Sequence, residues 1–169
     1  MENMDKFYEN IEKICEYNEK VAMFIDMDGT IIVYEVYPEH LVKERMERKY
    51  SDGEPLTYII DKLNKISKIK NIDLYILSLS KSEKITKEKE EWLRKYLPFI
   101  DEKNWIILTK EFGEYTKENR DIIKALKIKE KENEYNHLIL LDDDHKILKE
   151  TQSMLGEKAS VFHISSAII

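Results

Sequence analysis

Five short apolar runs, separated from one another by amphipathic segments, dominate this sequence. In the first of them, VAMFI, every residue is apolar, whereas a strand with one solvent-facing side would alternate apolar and polar residues. Continuous runs of this kind indicate strands that are covered on both faces, as in a parallel sheet. The predicted strands are Val21–Asp26, Ile72–Ser78, Trp105–Thr109, His137–Asp142 and Ala159–Ile164.

The segments between the predicted strands repeat their apolar residues with the 3.6-residue period of a helix. We expect Pro55 at the first position of one helix, Thr116 as the N-cap of another, and Pro98 and Gly156 as the ends of two more. Strands that alternate with helices predict an α/β fold, a doubly wound, Rossmann-like parallel sheet of about five strands.

The whole chain, 1–169, is short enough to be a single domain. An extra helix is expected within 1–20, before the first strand; its inward-facing residues are Phe7, Ile11, Ile14 and Cys15. The segment 31–54 is a long insertion after the first strand and contains a charged run, KERMERK. It is interpreted as a small helical cap over the site, with a solvated excursion as the alternative.

Composition excludes several classes of function. The four glycines are spaced too widely to form a GxxxxGK[ST] phosphate loop or a GxGxxG dinucleotide fingerprint. The single cysteine, Cys15, excludes an internal disulfide and a thiolate zinc cluster, and suits a reducing compartment. A net charge of −6 disfavours non-specific binding to nucleic acid. There is no signal-peptide pattern and no apolar run near the roughly 18 residues of a membrane helix, so we expect a cytoplasmic protein without a membrane partner.

Acidic side chains follow two of the predicted strands. Asp26 and Asp28 lie at the end of the first, and the run 142–144 (DDD) lies at the end of the fourth. Ligands of open parallel sheets bind beyond the carboxyl ends of the strands. Two carboxylates about 4 Å apart repel by roughly 4 kcal/mol at an effective dielectric constant of about 20, so neighbouring clusters would need a cation. Oxygen ligands favour Mg²⁺, although capping of helix N-termini is an alternative use of such aspartates.

These residues resemble the motifs of a known superfamily. The segment 26–30 (DMDGT), after VAMFI, resembles the DxDGT signature of the haloacid dehalogenase (HAD) superfamily of phosphotransferases. Ser78 after LYIL resembles its second motif, and the acids Asp142 and Asp143 after LILL resemble its fourth motif. The order of the motifs and their positions at strand ends match from Val21 to Ile164.

The resemblance implies a role for each of these residues. Asp26 would attack phosphorus and form an aspartyl-phosphate, and Asp28 would protonate the leaving oxygen and later take a proton from water. Ser78 would donate a hydrogen bond to a phosphoryl oxygen. Gly29 would let the chain turn sharply, so that backbone N–H groups face the phosphate. An acid at position 28 is found in phosphatases and phosphomutases of the superfamily, so we do not expect dehalogenation.

The resemblance also implies a metal site and a lysine. Mg²⁺ would be held by the side chain of Asp26, the backbone carbonyl of Asp28 and the side chain of Asp143, with Asp142 as an outer partner. The lysine of the third motif, which neutralises the nucleophile and the phosphate, is assigned to Lys117. Lys110, directly after WIILT, is the alternative.

A narrower resemblance concerns the substrate. The segment Lys87–Thr109 resembles part of the 5′(3′)-deoxyribonucleotidase-like branch, although Trp92 and its neighbour Leu93 would also suit an ordinary core. Tyr34, Tyr37 and Tyr50 are candidates for stacking on a nucleobase.

We therefore expect a Mg²⁺-dependent phosphatase of a small phosphorylated substrate, with a nucleoside monophosphate as the first candidate. A terminal phosphate on a nucleic acid is an alternative substrate. Two other classes stay open: a signalling receiver domain, whose phospho-acceptor would end the third strand where Thr109 stands here, and a catalytically silent binding protein.

Overall fold

The computed structural model describes residues 5–33 and 49–168. Five parallel strands form one sheet in the order β3-β2-β1-β4-β5. This confirms the predicted doubly wound α/β fold, and each strand begins at the predicted residue. The strands are β1 (Val21–Ile25), β2 (Ile72–Ser80), β3 (Trp105–Thr109), β4 (His137–Asp142) and β5 (Ala159–His163).

The central position of β1 brings the two acidic clusters together. Ile25, the last residue of β1, pairs with Ile76 of β2 on one side and with Leu141 of β4 on the other. Asp26 therefore leaves the sheet directly beside Asp142. The first and fourth strands are therefore neighbours, and the acids that follow them lie at one edge of the sheet.

Within residues 5–33 and 49–168, six α-helices connect or flank the strands. They are α1 (Lys6–Tyr17), α2 (Thr57–Ser67), α3 (Glu83–Tyr96), α4 (Ile123–Lys129), α5 (His145–Leu155) and α6 (Ser165–Ile168). None of the helices within the described ranges is long and apolar enough to cross a membrane.

The helices form a layer on each face of the sheet. The apolar residues of α1, α2, α3 and α6 pack with Met23 and Ile25 on one face. Those of α4 and α5 pack with Ala22 and Phe24 on the other. Because both faces are covered, all five residues of β1 are buried, which accounts for its unbroken apolar sequence.

Two predicted helix starts are wrong. Pro55 is not helical but forms an antiparallel bridge with Ile32, and α2 begins only at Thr57. Thr116 exchanges hydrogen bonds with Asn119 in a turn, and α4 begins several residues later, at Ile123. A contact with the segment after β1 keeps Pro55 out of the predicted helix, and a local turn keeps Thr116 out of its helix.

The central part of the insertion, 34–48, lies outside the described residues, so the cap over the site stays a prediction, as do the roles of Tyr34 and Tyr37. The end of the insertion packs on α3. The backbone N–H of Tyr50 donates to Glu88 Oε2 at 2.8 Å, and Trp92 Nε1 donates to the carbonyl of Gly53 at 3.0 Å. A Cβ on Gly53 would lie 2.2 Å from Ile32 Cδ1, so the chain here fits closely against the segment that follows β1.

Candidate active site

A cavity of about 780 Å³ opens beyond the carboxyl ends of β1, β2 and β4. Its wall carries both acidic and basic side chains. The acids include Asp26, Asp28, Asp142 and Asp143, and the bases include Lys81, Lys89, Arg120 and Lys124. This is the edge of the sheet at which ligands of open parallel sheets bind.

Asp26 is held from several directions. Its backbone N–H donates to the carbonyl of Leu141 at 3.0 Å, which extends the β1–β4 pairing by one residue. Its carboxylate accepts hydrogen bonds from Thr30 Oγ1 at 3.0 Å and from Lys124 Nζ at 2.7 Å. Burial raises the pKa of Asp26; the charge of Lys124 opposes that shift and the charge of Asp142 adds to it. The carboxylate is thus fixed in orientation at the floor of the cavity.

Lys124, in the first turn of α4, bridges the two acidic clusters. Its Nζ also donates to Asp142 Oδ2 at 2.7 Å, and its side chain is only 2% exposed. Burial alone would lower the pKa of Lys124, but the charges of Asp26 and Asp142 outweigh burial and raise it. Lys124 is therefore a fixed cation between two carboxylates.

Asp26, Asp142 and Asp143 form a group that could bind a metal ion, because a carboxylate oxygen from each lies within 4.8 Å of the others. Asp142 already binds Lys124 through Oδ2, and its Oδ1 accepts a hydrogen bond from the backbone N–H of Asp144 at 3.0 Å. Asp143 is half-buried and faces the other two acids. Burial and the nearby charge of Asp26 raise the pKa of Asp143 to about 7. Such clustered carboxylates favour a bound cation.

Gly29 allows the loop after β1 to lie against Asp143. Its φ angle is 75°, and a Cβ at this position would lie 2.2 Å from Asp143 Oδ2. The predicted sharp turn is therefore present. The N–H of Gly29 donates to the carbonyl of Ile32 at 2.9 Å, whereas those of Met27 and Asp28 have no acceptor in the described part of the chain.

A second buried lysine, Lys89 of α3, approaches the site from the other layer of helices. Its Nζ donates to Asp28 Oδ2 at 3.1 Å, to Ser78 Oγ at 2.8 Å and to the carbonyl of Leu79 at 2.7 Å. Burial lowers the pKa of Lys89, and the charge of Asp28 opposes that shift. No predicted site includes Lys89, although its spacing with Ile85 and Leu93, four residues to either side, places it on the inward face of the helix.

Tyr50 covers Lys89 from the end of the insertion. Its ring centroid lies 5.0 Å from Lys89 Nζ, and the ring lines the cavity. Within residues 5–33 and 49–168, the buried hydroxyl of Tyr50 has no hydrogen-bond partner. Burial raises the pKa of Tyr50, as does the negative charge of the neighbouring Asp28. The hydroxyl is thus a neutral polar group beside Asp28.

Comparison with solved structures identifies the fold. The chain is similar to the HAD domain of the effector protein Lem4 from Legionella pneumophila, with 20% identity, a TM-score of 0.51, and coverage of 86% of this chain and 87% of that one. It is also similar to a haloacid dehalogenase-like hydrolase from Burkholderia xenovorans LB400, with 14% identity, a TM-score of 0.54, and coverage of 85% and 81%. The chain has a HAD-like fold.

A third similar structure is the class C acid phosphatase from Bacillus anthracis with tungstate bound, at 16% identity and a TM-score of 0.52. The alignment covers 98% of this chain and 79% of that one. No family model matches the sequence, and no curated protein matches it. At these identities the likeness establishes the fold.

The lysine that meets Asp26 in this HAD-like fold is Lys124, and not either of the two lysines weighed from the sequence. Lys117 is exposed in the turn before α4, and Lys110 is exposed after β3. Neither lines the cavity. The prediction followed the expectation that a helix begins at Thr116. Because α4 begins at Ile123 instead, the lysine at the start of the helix is Lys124. Its position four residues before the buried Ile128 is the sequence signal for an inward-facing side chain.

Ser78 is close to the predicted site but does not line the cavity. It is fully buried, and its Oγ accepts the hydrogen bond from Lys89. The hydroxyl group from β2 that does line the cavity belongs to Ser80, two residues further along the strand. Contact between Ser78 and a phosphate therefore stays a prediction.

The last strand supports the loop that carries Asp143. His163 Nε2 lies 3.0 Å from the carbonyl oxygen of Asp143 and must be the donor, because a carbonyl oxygen only accepts. The His163 ring stacks on His145, with centroids 4.3 Å apart and planes inclined by 5°. A hydrogen bond from β5 thus holds the backbone of Asp143.

Proposed function

We propose that this protein is a Mg²⁺-dependent phosphatase that acts on a small phosphorylated substrate through an aspartyl-phosphate at Asp26. The observation that carries the proposal is the convergence of Asp26, Asp28 and Asp143 with the buried Lys124 in one cavity. The similarity in fold to haloacid dehalogenase-like hydrolases, including an acid phosphatase, supports the same conclusion.

The reaction follows from the positions of the two acids after β1. The carboxylate of Asp26 attacks phosphorus, and the bond from phosphorus to the leaving oxygen breaks as the new bond forms. Asp28 gives a proton to the leaving oxygen. Water then attacks the phosphorus of the aspartyl-phosphate and gives a proton to Asp28, so that inorganic phosphate and free Asp26 are produced. Lys124 offsets negative charge at Asp26 throughout.

The acidic group fits a divalent ion. Asp26 and Asp143 would hold it through their carboxylates and Asp28 through its backbone carbonyl, while Asp142 stays bound to Lys124. Bound Mg²⁺ neutralises charge on the transferred phosphoryl group. The close approach of Gly29 to Asp143, which leaves no room for a Cβ, keeps the loop and this acid together.

The cavity suits a small metabolite, and a nucleoside monophosphate is our first candidate. Its volume of about 780 Å³ is in the range of small-molecule sites. Tyr50 and Tyr115 line it, Tyr50 is a candidate for stacking on a nucleobase, and Arg120 and Lys81 add positive charge. A receiver domain is disfavoured, because the sheet order β3-β2-β1-β4-β5 differs from the 2-1-3-4-5 order of that fold.

Purified protein is expected to release phosphate from 4-nitrophenyl phosphate in the presence of Mg²⁺, and EDTA is expected to abolish release until excess Mg²⁺ is added. Phosphate release is measured first with this compound and then with a panel of nucleoside monophosphates and sugar phosphates. Absence of release from every monoester would refute the proposal. A long-lived phospho-aspartate without release would support the receiver alternative.

Mg²⁺ affinity is expected to rise by about tenfold between pH 6 and pH 8, because the pKa of Asp143 is about 7 and the ion binds the ionised carboxylate. The raised pKa also means that the metal-free protein loses stability as the pH rises from about 4 to 7. Isothermal titration calorimetry measures the affinity at the two pH values. The variant Asp143→Asn should bind weakly at both, and a wild-type affinity independent of pH would contradict this assignment.

A further inference from the structure

We propose that Lys89 is a positioning residue, which acts through Asp28 by holding its carboxylate in the orientation needed for proton transfer to the leaving group. The inference rests on the proposed function and adds to it a residue of α3 to which no sequence motif assigns a role. It is carried by the contacts of Lys89 Nζ with Asp28, Ser78 and Leu79.

The contacts of Lys89 use all of its hydrogen-bonding capacity. An ammonium group has three N–H bonds. Here one points to a carboxylate, one to a hydroxyl and one to a backbone carbonyl. No N–H remains for a substrate, and the side chain is only 1% exposed. Lys89 therefore acts on the reaction through its neighbours.

Asp28 depends on such a partner because it lies at the open side of the site, where Tyr50 is its other polar neighbour. It lies in the loop after β1, and its side chain is 40% exposed. Among the described residues, Lys89 is the one cation that pairs with its carboxylate. An exposed carboxylate without a fixed partner samples several rotamers, and proton transfer requires one of them.

Lys89 is itself held rigidly. Trp92 and Leu93, one turn further along α3, are buried in the core. The ring of Tyr50 covers the ammonium group at 5.0 Å. A lysine in such surroundings is unfavourable for stability unless its charge and N–H groups are matched, so an apolar residue would serve packing better. The ion pair with Asp28, which orients that carboxylate, explains why a lysine is buried at this position.

The hydrogen bond from Lys89 also determines how Ser78 can bond. Its Oγ accepts from Lys89, which leaves its own O–H available as a donor. Lys89 thus connects the residue that supplies the proton, Asp28, with the hydroxyl of the second motif.

The test compares two substrates that differ in how much they need a proton donor. A 4-nitrophenolate ion leaves readily, whereas an alkoxide requires protonation. For Lys89→Met we expect kcat/KM on an alkyl phosphate to fall by about 10²-fold or more, and kcat/KM on 4-nitrophenyl phosphate to fall far less. The comparison uses kcat/KM because this quantity reports the steps up to loss of the leaving group, and not the later attack of water, for which both substrates need Asp28. The Mg²⁺ affinity by calorimetry should stay unchanged. The matched control is Lys87→Met on the same helix, where the side chain is 67% exposed, and no change is expected.

Equal losses of kcat/KM on both substrates, or no loss on either, would overturn the role of Lys89. In the Asp28→Asn background, Lys89→Met should have no further effect on the alkyl phosphate; a full additional loss would also overturn it. If Lys89→Met does not fold by circular dichroism, Lys89→Gln replaces it in the same comparison. A wild-type protein inactive on both substrates refutes the proposed function itself, which is a different outcome from equal losses in the variant.

Discussion

Asp26→Asn is expected to lower kcat by about 10⁴-fold or more, because an amide oxygen cannot replace the carboxylate as the nucleophile. The fold should persist. Asparagine has nearly the same shape, its side-chain oxygen can still accept from Thr30 or Lys124, and Lys124 keeps its contact with Asp142. Phosphate release from 4-nitrophenyl phosphate measures the loss, and circular dichroism and thermal unfolding check the fold.

The matched control for this variant is Asp61→Asn, which makes the same chemical change on the exposed face of α2. Its activity should equal that of the wild type. Turnover that survives in a folded Asp26→Asn protein would reject Asp26 as the nucleophile. It would not by itself reject a phosphatase, since another carboxylate of the cavity could then carry the phosphoryl group.

Lys124→Met is expected to reduce both stability and activity. It leaves the carboxylates of Asp26 and Asp142 buried without their shared cation. Loss of one partner from such a group destabilises proteins by about 3–5 kcal/mol, which corresponds to a fall of roughly 10 °C in the midpoint of thermal unfolding. The value of kcat should fall by about 10²-fold or more, because the charge that faces Asp26 is removed. Calorimetric unfolding without Mg²⁺ and steady-state kinetics with Mg²⁺ measure the two effects.

Lys117→Met tests whether Lys117, as assigned from the sequence, or Lys124 is the lysine that neutralises Asp26. Lys117 is exposed before α4, so its loss should change the unfolding free energy by less than about 0.5 kcal/mol and the activity by less than about twofold. A large loss of activity in Lys117→Met, together with a small one in Lys124→Met, would restore the assignment made from the sequence.

The fold could be predicted because its strands are covered on both sides. The apolar run of β1 ends where Asp26 begins, and the other strands start at the residues that the pattern indicated. The end of β2 differs most from the prediction: the strand continues to Ser80, which lines the cavity. A strand that carries part of a site no longer has the unbroken apolar pattern that marks a buried strand.

The basic residues of the site could not be predicted with the same success. Lys124 and Asp26 are 98 residues apart, and the identity of the partner depends on where α4 starts and which side it turns inward. Because the chain contains many lysines, the sequence distance from an acidic motif does not identify the lysine that contacts Asp26. Lys89 was missed for a related reason: it stands in a highly charged helix, and only its spacing with Ile85 and Leu93 distinguishes it from its exposed neighbours.

The two buried lysines of the site come from opposite sides of the sheet. Lys89 belongs to the layer that contains α1, α2, α3 and α6, and Lys124 belongs to the layer of α4 and α5. A partly folded chain with one layer docked would carry uncompensated negative charge at the strand ends, and that repulsion would disfavour it relative to the native state. The ion pairs of Lys89 and Lys124 with the aspartates therefore couple the docking of the two helical layers. The charge balance of the site thus contributes to the cooperativity of folding.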